Sequence, residues 1–320
     1  IEAMLAGRSR VFTGLGGNFA QATPDSARSH QALRNCALTV QISTKLNRSH
    51  LTHGREALIL PCLGRTDIDR QAGGPQAVTV EDTFSMIHAS YGQLEPCSPL
   101  LRSEPSIVAG IAAATLGSRP VDWLALVEDY ARIRELIADC IPGFENFNQR
   151  LQHPGGFYLG NPAARREWRT SSGRAQFSAN PLPASLLDPR AGNGAAPDLI
   201  LQTLRSHDQY NTTIYGLDDR YRGVRGQREV LFVNAEDIRR LGFEPGQRVD
   251  IETLWNDGVE RRVCGFTLLA YDVPPGQAAA YYPETNPLVP LQSHGRESFT
   301  PTSKSIAVRL RAHVADARIA

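Results

Sequence analysis

Two stretches of this 320-residue chain gather side chains suited to holding an anion or a polar ring edge. In LRSHDQYNTTIYGLDDRYRG, Arg205 offers a planar guanidinium fork that matches a phosphate or a ring carbonyl. Gln209 and Asn211 beside it can donate and accept at once. In SRVFTGLGGNFAQATPDS, Gly14, Gly16 and Gly17 lack the Cβ that would bar close backbone approach to a phosphate, and Asn18 tolerates positive φ while offering an amide. Lys304 would supply one positive charge. Arg220, Arg222, Arg225 and Arg228 could line a diphosphate path. Each feature also has a plainer reading: a glycine turn after a strand, a solvated polar loop, a charged surface.

Other chemistries find less support. His50, His53, His88 and His207 form no H-x-x-x-H pair on a helix, and no nucleophile elbow accompanies them, so they read as structural histidines. The five cysteines, Cys36, Cys62, Cys97, Cys140 and Cys264, are far apart with no C-x-x-C, which gives neither zinc nor an iron–sulfur cluster a ligand set. Lys+Arg 34 against Asp+Glu 33 leaves a formal charge of +1, so no whole-chain field draws nucleic acid or an acidic membrane. No apolar run reaches the roughly 18 residues of a membrane span, and IEAMLAGRSR lacks the pattern of a secretory signal. A cytoplasmic protein is expected, with neither nucleic-acid nor membrane partners.

The elements that must position these residues fall into two textures. Up to about Gly117, apolar strand-like runs (SRVFTGL, CALTVQIST, EALILP) alternate with helical lengths, the pattern of an α/β domain with a parallel sheet, closed by a helix in SIVAGIAAATLG. VDWLALVEDYARIRELIADC has helical apolar spacing from Trp123 to Ile137, stopped by Pro142 and Gly143. A hairpin is expected around WRTSSGRAQFS and a flexible boundary in SLLDPRAGNGAAPD. From Pro197 onward come short strands with tight turns: DLILQTL, EVLFVN, QRVDIETLW, RRVCGFTLLAY, GQAAAYY and SIAVRLRA. These favour a closed or nearly closed barrel, interrupted by a helix capped at Asn234 and ended at Gly242.

Taken together, GLGGNFAQATPD with ALTVQIST and ALILP, LRSHDQYNTTIYGLDDRYRG, and AAAYYPETNPLVPLQSHGRESFTPTSK resemble the second half of molybdopterin-dependent oxidoreductases, most closely the formate dehydrogenase alpha-subunit-like group. The resemblance covers nearly the whole chain. It implies an α/β plus β fold: a partial Rossmann-like α/β domain over 1–118, a connecting helix and hairpin region over 119–193, and a molybdopterin dinucleotide-binding double-psi β-barrel over 194–320.

The resemblance further implies cofactor contacts at Gly16, Gly17, Asn18, Gln41, Ser43, Thr203, Arg205, Gln209, Asn211, Thr212, Tyr282, Asn286, Ser293 and Lys304. The cofactor implied is bis(molybdopterin guanine dinucleotide) with molybdenum, although cradle residues do not distinguish molybdenum from tungsten. His88, in SMIHASYG, corresponds to a family stretch near the active-site funnel. Neither metal ligand nor catalytic residue is assigned, and any iron–sulfur cluster is expected only in a missing N-terminal part. The expected partner is that N-terminal half or a complementary subunit, with a small substrate such as formate. The alternative is a non-catalytic cofactor-binding fragment or subunit, and on either reading this chain alone is expected to show no independent turnover.

Overall fold

The computed structural model describes residues 1–182, 184–185, 187–192, 194–212 and 214–314. The chain divides into two compact units that do not follow its linear order. One comprises Ile1–Gln41, Leu46–Ile59 and Leu182–Ala320, and the other Ile42–Lys45 and Leu60–Pro181.

The first elements are α1 (Glu2–Leu5), β1 (Val11–Leu15), α2 (Phe19–Ala22), α3 (Ser26–Arg34), β2 (Leu38–Ser43), α4 (Arg48–Leu51) and β3 (Glu56–Pro61), with the strands forming a three-stranded sheet in the order β1-β2-β3. The N–H of Glu56 donates to the carbonyl of Ala37 (3.0 Å) and that of Cys62 to Ser43 (3.3 Å). Both partners advance in the same direction, so β2 and β3 run parallel. Residues 39–42 of β2 are buried in succession, as a strand covered on both faces requires. The sheet matches the expected strand runs. Burial pushes the Cys36 thiol pKa up, keeping it protonated in the cluster it forms with Met4 and Ala32.

The second unit contains β4 (Asp69–Gln71), β5 (Gly74–Glu81), β6 (Met86–Tyr91), α5 (Glu104–Leu116), α6 (Trp123–Glu128), α7 (Tyr130–Cys140), α8 (Phe147–Arg150) and β7 (Phe157–Tyr158). Its four strands form an antiparallel sheet in the order β4-β5-β6-β7. The single helix expected from Trp123 to Ile137 is two. Asp129 is extended between them, its side chain capping α7 by accepting from the Ala131 N–H at 2.9 Å, while Gln76 Oε1 accepts the preceding N–H, that of Tyr130, at 2.7 Å.

The expected hairpin around WRTSSGRAQFS is not formed. Gly173 N–H donates to the Thr170 carbonyl in a turn, but no described residue there is in a strand. Phe177 is 93% exposed, so the segment has no apolar face to bury as a strand. Of the expected boundary SLLDPRAGNGAAPD, Leu186 and Asn193 lie outside the described residues.

The C-terminal strands are β8 (Leu199–Leu204), β9 (Val230–Val233), β10 (Arg248–Thr253), β11 (Arg262–Ala270), β12 (Gln277–Tyr281) and β13 (Ile306–Ala312). They close into a barrel in the order β10-β11-β9-β12-β8-β13, with β8 parallel to β12 and β9 parallel to β11. β10 pairs with β13, so no edge is left open. Leu201, Leu231, Val249, Ile251, Leu268 and Val308 fill the interior. Helix α9 (Ala235–Arg240) begins where expected, with Asn234 accepting from the Glu236 N–H at 2.9 Å, and Gly242 follows at φ 77°.

One glycine is fixed by packing as well as by conformation. Gly156 has φ +77°, and a Cβ there would stand 1.8 Å from the Ile87 carbonyl oxygen. Gly156→Ala should therefore destabilise the second unit by at least about 1–3 kcal/mol, read as a lower denaturant midpoint and faster proteolysis between 60 and 181. Wild-type stability in this variant would show that the close approach to β6 is not required.

Candidate functional site

At the end of the barrel where β8 and β12 finish and β9 begins, a buried guanidinium ties the chain together. Arg228, 3% exposed, lies just before β9. Its Nε donates to Glu284 (2.7 Å), Nη1 to Ser206 Oγ (2.9 Å), and Nη2 to Gln209 Oε1 (2.9 Å) and the Tyr282 carbonyl (3.0 Å). Its plane also lies over the rings of Tyr215 and Tyr281. Two loops distant in sequence, those after β8 and β12, are thus held to one charge.

Gln209 completes this brace. Its Oε1 accepts from the Ser206 N–H and from Arg228, and its Nε2 donates to the carbonyls of Asn211 (2.8 Å) and Tyr282 (2.7 Å). The amide expected to meet a ligand is thus committed to shaping the loop, which delivers Asn211 at φ 51°. Asn211 Oδ1 accepts from Arg205 Nη2 at 2.8 Å and aims that guanidinium.

Arg205 faces a second cation. Lys304 Nζ donates to the carbonyl of buried Thr203, and its pKa is lowered, first by burial and then by the charge of Arg205. Half-buried Tyr282 stands in the same field: burial raises its pKa and Arg205 opposes the rise. Among the described residues no carboxylate forms an ion pair with Arg205 or Lys304. Two cations brought together without an acid suit an anion with several acceptor oxygens.

Asp219 anchors the rest of the loop. It accepts from Arg222 (2.6 Å), Tyr281 (2.9 Å) and His207 (3.0 Å). Burial alone would raise its pKa, yet these bonds outweigh it and hold the carboxyl at about 2. Arg222 and Arg228 are therefore consumed by internal acids rather than lining a diphosphate path. Arg222 also donates to the Arg205 carbonyl at 3.2 Å, fixing the backbone that carries Arg205.

The glycine turn between β1 and α2 belongs to the same unit. Gly16 and Gly17 have φ 64° and 65°. A Cβ on Gly14 would stand 2.6 Å from Gln41 Oε1, so that glycine admits the Gln41 side chain. Asn47 Nδ2 donates to the Gly17 carbonyl (2.8 Å), and Ser49 Oγ accepts from the Ala20 N–H (3.0 Å) while donating to Asn18 Oδ1 (3.5 Å). Asn286 ties this segment to the barrel: its Nδ2 donates to the carbonyls of Gln21 (2.9 Å) and Ala22 (3.1 Å), and its carbonyl accepts from the Asp25 N–H (3.0 Å). Buried Arg261 pairs with Asp25 and Asp257.

The expected contact residues thus separate by what they touch. Arg205, Asn211, Tyr282, Lys304 and Thr203 converge on the cation pair, with Thr212 buried near Asn211 in sequence. Gln209 and Asn286 brace the backbone. Ser293 shares a hydroxyl hydrogen bond with Thr302, stapling the loop that leads to Lys304. Gly16, Gly17, Asn18 and Gln41 gather at the N-terminal turn, whereas Ser43 lies in the other unit, its Oγ donating to the Lys45 carbonyl at 2.6 Å. Sequence reasoning missed Asn47, Ser49 and Glu284; the N-x-S start of α4 was the available signal for the first two.

Two predictions follow from these networks. Arg228→Leu leaves Glu284 without its counter-charge and should cost roughly 3–5 kcal/mol in chemical denaturation, whereas a change below about 1 kcal/mol would remove Arg228 from its organising place. Because the folded pKa of Asp219 is depressed, its contribution is full above the ordinary carboxylate range near pH 4 and lost as pH falls toward about 2. Asp219→Asn should lower stability at pH 7 and flatten the acid limb of a stability-against-pH curve; an unchanged limb would contradict this.

Residues 199–308 match the molydopterin dinucleotide binding domain. Over 97% of its length the chain is 54% identical to an uncharacterized oxidoreductase of Mycobacterium tuberculosis and 46% identical to protein YdeP of Escherichia coli. It spans only 40% and 41% of those two proteins. Among solved structures, acetylene hydratase from Pelobacter acetylenicus superimposes with a TM-score of 0.60 at 13% identity, covering 98% of this chain and 45% of that one, a likeness of fold alone. The residues present fit such a cofactor: an unpaired cation couple for phosphate, and a buried Gln41 Nε2 with no hydrogen-bond partner among the described residues. The domain match falls on the closed barrel, so what is shown of this chain is a molydopterin dinucleotide binding domain over residues 199–308.

Proposed function

We propose that the chain is part of a longer, formate dehydrogenase-like molybdopterin oxidoreductase, and that its task is to hold the diphosphate of a bis(molybdopterin guanine dinucleotide) between Arg205 and Lys304. The observation that carries this is the pairing of two cations with no acid of their own, on a loop rigidified by Arg228 and Asp219. When bound, such a cofactor supplies redox chemistry at its metal; the protein supplies position and field. Arg205 orients under Asn211, Lys304 adds charge from the turn before β13, and Tyr282 presents a half-buried ring beside them. The Rossmann-like reading of the α/β part and the double-psi reading of the barrel belong to the same proposal.

Metal ligation then falls to the remainder of the longer protein or to a complementary chain, and this chain alone would not turn over substrate. Among the described residues no three His, Cys, Asp or Glu side chains converge as metal ligands, and no helix is long and apolar enough to cross a membrane. The substrate is proposed as a small molecule of the formate type, and the compartment as the cytoplasm.

Arg205→Ala or Lys304→Ala should each weaken pyrophosphate binding by roughly 10- to 100-fold without unfolding, since each removes a charge-assisted contact. The lowered Lys304 pKa adds a sign: its charge, and the affinity it confers, is lost as pH rises through a value below that of ordinary lysine near 10.4. Lys304→Arg should abolish that alkaline loss. Equal affinity in wild type and both alanine variants, by calorimetry, would overturn the assignment.

A further inference from the structure

A cavity of about 680 Å³ opens in the second unit beside β4 and the start of α5. The charged residues of its wall are Arg70, Arg102, Asp69 and Glu95, two of each sign. Arg70 and Glu95 answer each other through hydrogen bonds of 2.8 and 2.6 Å. That leaves one charge of each sign over. The Arg102 guanidinium makes no hydrogen bond and no ion pair among the described residues, although its backbone is pinned, the carbonyl accepting from the Leu63 N–H at 3.0 Å.

Asp69 is met by neutral donors alone. Gln71 Nε2 donates to its Oδ1 at 2.5 Å, and the Tyr130 hydroxyl donates to its Oδ2. A phenol has a single proton, so Ser103 Oγ, 2.8 Å away, donates to the Tyr130 oxygen. Burial, and after it the bond to Asp69, raises the Tyr130 pKa, and the phenol keeps that proton. Among the described residues no cation pairs with the Asp69 carboxylate, whose oxygens have lone pairs to spare. Gln71 Nε2 also reaches Ser103 Oγ at 3.4 Å, so two hydrogen bonds join the Asp69 carboxylate to the residue next to Arg102. The two unpaired charges therefore share one stretch of wall.

Their signs decide the class of ligand. An anion drawn to Arg102 is repelled by Asp69, and a cation drawn to Asp69 is repelled by Arg102. A molecule carrying both an ammonium and a carboxylate satisfies each with a charge-assisted hydrogen bond. Leu63, Ile68 and Leu101 line the same cavity and offer apolar surface to a short hydrocarbon chain. We infer that this cavity binds a free amino acid with an aliphatic side chain, its ammonium at Asp69 and its carboxylate at Arg102. The site lies in a different compact unit from Arg205 and Lys304 and does not depend on the cofactor reading.

The test titrates the whole chain by calorimetry with L-norleucine and its two single-charge analogues: hexanoate, which lacks the ammonium, and pentylamine, which lacks the carboxylate. Norleucine should bind at least about tenfold more tightly than either. Arg102→Ala, at an exposed side chain with no internal bond, should weaken norleucine by roughly 10- to 100-fold, and Asp69→Asn by a similar factor. Arg102→Glu makes the wall acidic; it should lose norleucine and gain pentylamine by roughly tenfold, a gain that misfolding cannot produce. Pyrophosphate affinity should stay at the wild-type value in all three variants, which keeps this test separate from that of the barrel loop. An analogue bound as tightly as norleucine overturns the proposal, as does wild-type norleucine affinity in Arg102→Ala or the absence of norleucine binding by the wild type.

Discussion

The guanidinium of Arg228 is the constraint on which the ligand-facing end of the barrel depends. A nearly buried arginine is tolerated only if its charge and its N–H groups are met, and here they are met by Glu284, Ser206, Gln209 and the Tyr282 carbonyl. Those partners come from the loops after β8 and β12. Satisfying one charge therefore fixes the relative positions of both loops, and with them Arg205, Asn211 and Tyr282. The barrel core supplies burial, but it does not specify where those loops lie.

The same device recurs. Asp219 is held ionised by Arg222, Tyr281 and His207, and Arg261 by Asp25 and Asp257. In each case an internal acid or base consumes a charge that a surface reading would assign to a ligand. Arg205 and Lys304 stand out because their charges are not consumed in this way. That neither charge forms an ion pair with a carboxylate among the described residues is a property invisible in sequence.

Much of the framework was legible from pattern. The six barrel strands and the α9 cap follow from alternation, turns and an Asn–Glu–Asp start, because a closed barrel fixes which face each residue takes. The antiparallel sheet from β4 to β7 was not foreseen, since β7 is two residues long and its pairing with β6 depends on Gly156 approaching Ile87. The helix break at Asp129 escaped periodicity because the apolar spacing continues across it; only the cap betrays it. In the candidate site, residue type alone did not show that the Gln209 amide is bonded to backbone groups and Arg228. Gln41 came from the family resemblance, and its packing against Gly14 is not written in the local sequence.

The central claim is that this chain holds a pterin dinucleotide for an oxidoreductase longer than itself. The most direct measurement is mass spectrometry of the small molecules released on denaturing the longer protein, paired with metal analysis of the same sample. A molybdopterin nucleotide with molybdenum, in stoichiometric amount and depleted by Arg205→Ala, is the result expected. A folded longer protein that releases neither pterin nor nucleotide would contradict it.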